Sequence, residues 1–160
     1  MNKPLRFVQE QIVWQEVPGE TSLAFTISGC PLRCKGCHSS EYRNGDVGVQ
    51  LTQEYFSHQL KKYEGLISCV VFLGGEWHEQ LRDFLAITRS NNLHTCLYTG
   101  LDSTPGHLLP YLTYVKTGPW IAALGGLDSP TTNQQFIDLR SGHSLNHRFQ
   151  SHKTTGASPC

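Results

Sequence analysis

A chain of 160 residues, 38% hydrophobic and 16% charged, has the size and composition of one globular domain with a real core. Lys plus Arg balances Asp plus Glu at 13 each, so the basic footprint of a nucleic-acid binder is missing. No apolar run approaches the roughly 20 residues that span a bilayer, and the opening MNKPLRFVQEQIVWQE breaks its apolar residues with Gln and Glu rather than forming a signal-peptide core. The expectation is a cytoplasmic protein with no nucleic-acid and no membrane partner.

Two β-rich runs come first, Phe7 to Trp14 and Ser22 to Ser28, separated by the turn signal Pro18-Gly19. Thr52 is a plausible N-cap for a helix reaching Tyr63, in which Phe56, Leu60 and Tyr63 recur at helical spacing before Gly65 stops it. LISCVVFLGG, residues 66–75, is nearly unbroken in its apolar character, as expected of a central parallel strand covered on both faces. Trp77, Leu81, Phe84, Leu85 and Thr88 mark a second helix closed by Asn91 and Asn92, and HTCLYTG from His94 reads as the next strand. A short helix is predicted over His107 to Leu112, and TYVKTG and QQFIDLR are the last strand candidates.

Strand and helix alternate, so the predicted class is α/β with a mainly parallel sheet. A complete eight-stranded barrel needs about 250 residues, which leaves a partial (β/α) barrel as a single domain over residues 1–149. Residues 150–160 form a polar tail expected to be flexible. Loops after the C-terminal ends of parallel strands gather binding sites. Three such loops stand out: the one after Ser28, Gly74-Gly75-Glu76, and Tyr98-Thr99-Gly100.

The first of these holds three of the six cysteines, Cys30, Cys34 and Cys37, at spacing C-x3-C-x2-C with His38 directly after. In a reducing compartment such a cluster more often holds metal than disulfides. Cys69 and Cys96 lie in apolar runs as small buried hydrophobes, and Cys160 ends the tail. Zinc would take the three thiolates and a nitrogen of His38, although a residue adjacent to a ligand seldom reaches the same metal. His143 and His147, four apart, could share a helix face or be scattered, solvated histidines. An iron–sulfur cubane has four irons and here three thiolates, so one iron would stay open for substrate.

The spacing resembles the signature of the radical S-adenosylmethionine enzymes, and LGGEW, Leu73 to Trp77, is similar to their Gly-Gly-Glu motif. Within that superfamily SGCPLRCKGCH and YTG resemble the small activating proteins of anaerobic ribonucleoside-triphosphate reductase. The resemblance extends over VKTGPWIAALGGLDSPTTNQQFIDL, Val115 to Leu139, with its Asn133-Gln134 pair. The commoner form of the second motif in these activases is Gly-Gly-Asp-Pro where this chain has Gly74-Gly75-Glu76-Trp77.

The resemblance implies a [4Fe-4S] cluster on Cys30, Cys34 and Cys37, with S-adenosylmethionine at its open iron. Gly74, Gly75 and Glu76 would hold the cofactor, and Tyr98, Thr99 and His38 would line the same place. It further implies reductive cleavage of S-adenosylmethionine and a glycyl radical left on the large reductase subunit, with electrons from a low-potential donor such as flavodoxin. Asn133 and Gln134 would contact that partner or brace the site. Two other readings stay open: a small radical enzyme acting on a pterin, similar to 7-carboxy-7-deazaguanine synthase, and a zinc-binding module.

Overall fold

The computed structural model describes residues 3–31 and 44–150. Its elements in chain order are β1 (Arg6–Val13), β2 (Ser22–Ile27), β3 (Val49–Gln50), α1 (Gln53–Lys62), β4 (Cys69–Leu73), α2 (Leu81–Ser90) and β5 (His94–Tyr98). A single 3-10 turn, Leu109–Tyr111, then leads to β6 (Tyr114–Thr117), β7 (Gln135–Asp138), β8 (His143–Ser144) and α3 (Asn146–Gln150).

Local chemistry sets the helix ends. The Thr52 hydroxyl accepts from the Tyr55 amide at 3.1 Å, satisfying one orphan donor of α1, while Lys61 and Lys62 sit at the negative end of the helix dipole. Helix α2 begins four residues later than Trp77, because the His78 amide donates back to the Gly75 carbonyl and the Gln80 amide to His78 Nδ1, holding this stretch as a turn. Asn92, with φ +60°, ends the segment in the left-handed conformation that Asn tolerates. The helix expected at His107 to Leu112 is reduced to the 3-10 turn, with Pro110 inside it.

The eight strands of the described residues form one sheet in the order β3-β1-β2-β4-β5-β6-β7-β8. The parallel arrangement holds for the central four, β2, β4, β5 and β6, and not for the flanks, where β1 on β2, β3 on β1, β7 on β6 and β8 on β7 are antiparallel. Antiparallel neighbours need no crossover helix, and none links β1 to β2, β6 to β7 or β7 to β8. Among the described residues the sheet ends at β3 and β8, which do not pair, so over these residues it is an open mixed α/β sheet rather than a closed barrel.

Strand alternation divides the core in two. Phe25, Val70, Phe72 and Leu97 face α1 and α2, packing on Phe56, Leu60, Leu81, Phe84 and Leu85. Cys69, Val71 and Cys96 face the other way, onto Val13, Val17, Leu127 and Phe136. His143 lies in β8 and His147 in α3, so the two share no helix face. Gln150 closes α3 and donates to the Ser129 carbonyl at 3.1 Å, which makes it part of the fold; residues 151–160 of the expected tail lie outside the described residues. Among the described residues no helix is long and apolar enough to cross a membrane.

Candidate iron–sulfur and cofactor site

The three loops singled out in the sequence leave the same edge of the sheet. Ladder pairing sets Thr26 beside Leu73, Leu73 beside Tyr98, and Tyr98 beside Lys116. The ladder continues one step past the strands, the Gly74 amide donating to the Tyr98 carbonyl at 2.9 Å and the Thr99 amide to the Lys116 carbonyl at 2.8 Å. Ile27, Gly74, Thr99 and Thr117 therefore form a row, with Cys30 three residues beyond the first of them.

Cys30 is half-buried, whereas Cys34, Cys37 and His38 lie outside the described residues, as does the rest of 32–43. The stem of that segment is tied to β1 and to the returning chain. Ser28 donates from its amide to the Arg6 carbonyl at 3.1 Å and from its hydroxyl to the Val47 carbonyl at 2.9 Å. Just beyond it Gly29, at φ +92°, lets the returning chain approach so closely that a Cβ there would sit 3.1 Å from Gly45 Cα. The described residues on either side of 32–43 thus meet at the sheet edge.

Gly74 and Gly75 both have positive φ, +89° and +108°. A Cβ on Gly74 would lie 2.8 Å from Cη2 of Trp77, and a Cβ on Gly29 would lie 3.6 Å from Trp77 Nε1, so this indole covers the seam between the two loops. Glu76 follows and is buried, at 8% exposure. Thr99 Oγ1 donates to its Oε1 at 2.6 Å, while Oε2, also buried, has no hydrogen-bond partner. Burial pushes the Glu76 carboxyl pKa up, against the opposing effects of the Thr99 hydroxyl, the residue's own amide and the Lys116 ammonium.

Lys116, itself buried, ties the edge together: its Nζ donates to the Gly118 carbonyl at 2.9 Å and to the Thr99 carbonyl at 3.4 Å. Asn133 donates to the Pro119 carbonyl at 3.1 Å and Gln134 to the Gly118 carbonyl at 3.4 Å, so this pair braces the loop that follows β6. Tyr98 stands apart. Its ring packs on Phe136 and its hydroxyl donates to the Glu16 carbonyl, both on the sheet face opposite α1 and α2. The structure therefore brings Cys30, Gly74, Gly75, Glu76 and Thr99 to one edge and turns the Tyr98 side chain to the other face.

Trp77 and Lys116 are the residues that sequence reasoning missed. A lone lysine inside the strand YVKTG was the available signal for the second, since a lysine seldom lies buried without partners. Among the described residues no group of three or more His, Cys, Asp or Glu side chains could hold a metal ion, because two of the three motif cysteines fall outside them. The chemistry of the donors suits an iron–sulfur group. Cys30 leaves the same sheet edge as the glycine pair, whose missing Cβ atoms let Trp77 and Ile27 pack against the backbone, and a buried oxygen of the Glu76 carboxylate there lacks a donor.

No curated protein matches the chain. The family model described as a 4Fe-4S single cluster domain matches residues 17–103, which include all three motif cysteines, Gly74 to Glu76, and Tyr98 and Thr99. With more than half of its 160 residues inside that match and the cysteine stem at the sheet edge, the chain belongs to the 4Fe-4S single cluster domain family.

Proposed function

We propose that this chain is a radical S-adenosylmethionine activating enzyme, which generates a glycyl radical on the large subunit of an anaerobic ribonucleoside-triphosphate reductase. The observation that carries the reading is Glu76. Its Oε2 is a buried acceptor with no partner, next to two positive-φ glycines and on the same edge as Cys30. An acceptor of that kind costs stability until a donor fills it, and the amino group of an amino-acid moiety is such a donor.

Cys30, Cys34 and Cys37 would hold a [4Fe-4S] cluster and leave one iron for the amino and carboxylate groups of S-adenosylmethionine. Bound there, the group would supply the reductive cleavage of the sulfonium, chemistry that belongs to the cofactor. The rest is the work of this chain. Gly74 and Gly75 bring backbone close to the ligand, Glu76 would accept an N–H of its amino group, and Thr99 fixes the carboxylate through Oε1. An N–H donor at Oε2 also favours the ionised form of Glu76 over the protonated form that burial promotes. Lys116 holds the loops after β5 and β6 together, and Trp77 shields the seam between Gly29 and Gly74 from water. A low-potential donor such as flavodoxin would deliver the electron in a reducing cytoplasm.

The test is low-temperature electron paramagnetic resonance on anaerobically reconstituted, reduced protein, with S-adenosylmethionine and the reductase subunit added in turn. The expected sequence is a cluster signal, its change on adding the cofactor with release of 5′-deoxyadenosine, and then a glycyl doublet on the subunit. Turnover of a free pterin with no protein partner, or bound zinc without iron or sulfide, would overturn the reading.

A further inference from the structure

The indole of Trp77 spans the gap between the cysteine stem and the glycine pair. Its benzo ring lies at the Gly74 end, where a Cβ would meet Cη2 at 2.8 Å, and its nitrogen at the Gly29 end, where a Cβ would stand 3.6 Å from Nε1. Gly29 is the chain neighbour of Cys30, its Cα about 3.8 Å away across one peptide. The indole N–H therefore sits at the mouth of the cysteine segment.

A tryptophan N–H withdrawn from water usually finds an acceptor. Trp77 is half-buried and packs on the core beneath α1 and α2, yet none of the described residues accepts from its Nε1. The Gly75 carbonyl, in the same turn, is already taken by the His78 amide at 2.9 Å. Trp14 differs, because at 67% exposure its N–H is served by solvent.

We propose that the Trp77 N–H donates to anionic sulfur at this mouth, the Cys30 thiolate or a sulfide of the cluster it helps to hold, and thereby tunes the reduction potential of the centre. This rests on reading Cys30, Cys34 and Cys37 as cluster ligands. The chemistry matches, since a hydrogen bond to an ionised acceptor is about twice as strong as a neutral one. The reduced cluster carries one more negative charge than the oxidised one, so a donor to its sulfur favours reduction and raises the potential. A mere seal acts in the opposite sense when it is removed, because admitting water also favours the more highly charged, reduced state.

A redox titration followed by electron paramagnetic resonance, on reconstituted wild type, Trp77→Phe and Trp14→Phe, tests this. Trp77→Phe should lower the potential, shifting the one-electron reduction equilibrium by roughly tenfold, which is about 59 mV, while Trp14→Phe leaves it unchanged. No change in Trp77→Phe, or the rise expected of water entry, would overturn the proposal. Should Trp77→Phe fold poorly, tryptophan carrying heavy nitrogen only in its indole decides the matter. Pulsed spectra of the labelled protein should then show a nitrogen coupling to the cluster that persists in Trp14→Phe and in Trp120→Phe, and the lack of any such coupling would overturn the proposal. Iron and sulfide are quantified in every sample. A wild type that binds neither removes the cluster reading and this inference with it, whereas a loaded cluster indifferent to Trp77 removes this inference alone.

Discussion

Thr99 and Glu76 meet across 2.6 Å between the ends of β5 and β4, and the bond uses only one of the two carboxylate oxygens. The other, Oε2, is buried without a partner. Replacing Thr99 by Val would leave both oxygens unpaired, and stability should fall by about 1–3 kcal/mol, the cost of one more unsatisfied buried acceptor. Replacing Glu76 by Gln keeps the shape but removes the negative acceptor, so S-adenosylmethionine affinity should drop by about 10- to 100-fold, the range for a hydrogen bond to a charged group. Urea unfolding measures the first, and calorimetric titration of cofactor into reconstituted protein the second. Unchanged affinity in Glu76→Gln would remove Glu76 from the cofactor site.

Two buried carboxyls titrate in opposite senses. Glu76 has its pKa raised above the ordinary 4.5 by burial, so the folded state keeps a proton that the unfolded chain has released. Its contribution is greatest below pH 4.5 and declines as pH rises through the folded-state value. Burial alone would also raise Glu20, but hydrogen bonds from Ser68, Tyr114 and His94 outweigh it and hold Glu20 below 4.5. Its contribution is present above pH 4.5 and lost as pH falls through the folded-state value. Urea unfolding of cluster-free protein from about pH 3 to pH 8 should show a flatter acid limb in Glu20→Gln and a smaller decline above pH 4.5 in Glu76→Gln. The same profile in both variants would contradict the opposite signs.

Gly74 is constrained twice over, by its φ of +89° and by the indole of Trp77, 2.8 Å from where a Cβ would be. Gly65 also has a positive φ, +84°, but open space around it. Alanine at Gly65 should therefore cost only the backbone strain, about 1 kcal/mol, and alanine at Gly74 that plus displacement of Trp77, about 2–4 kcal/mol in all. Thermal unfolding of the two variants side by side separates these terms. Equal losses would mean that Trp77 yields freely and does not seal the loop seam.

The central strands and the two long helices were legible because burial imposes a pattern on many residues at once. The unbroken apolar run around Cys69–Leu73 and the helical spacing of Phe56 and Leu60 each report a face that must be covered. Strands β3 and β8 span two residues each, too short for any period to show, and α3 buries no residue. The antiparallel flanks were hidden because strand content does not reveal direction; only the missing helix in a connection does. At the site, the glycine pair and Glu76 stood out through their order after a strand, whereas Trp77 was absorbed into the face of the following helix. Tyr98 and Thr99 were grouped as neighbours, although a period of two sends adjacent strand residues to opposite faces, and here only Thr99 reaches Glu76.

Cysteine chemistry divides along the same structural line. Cys69 and Cys96 have no exposed surface, and burial pushes both thiols well above their ordinary pKa, so neither presents a thiolate to metal or alkylating agent. Cys30 is half-buried at the mouth of the cysteine loop. Under anaerobic reconstitution, Cys30→Ala, Cys34→Ala and Cys37→Ala should each lose bound iron and sulfide, while Cys69→Ala should keep both and lose only packing, about 1–2 kcal/mol. Native cluster-free protein treated with iodoacetamide should be alkylated at Cys30 and spared at Cys69 and Cys96 until denaturant is added. Iron lost equally from Cys69→Ala would mean that the buried thiol sustains the centre through the fold, and retention of iron by Cys30→Ala would exclude Cys30 as a ligand.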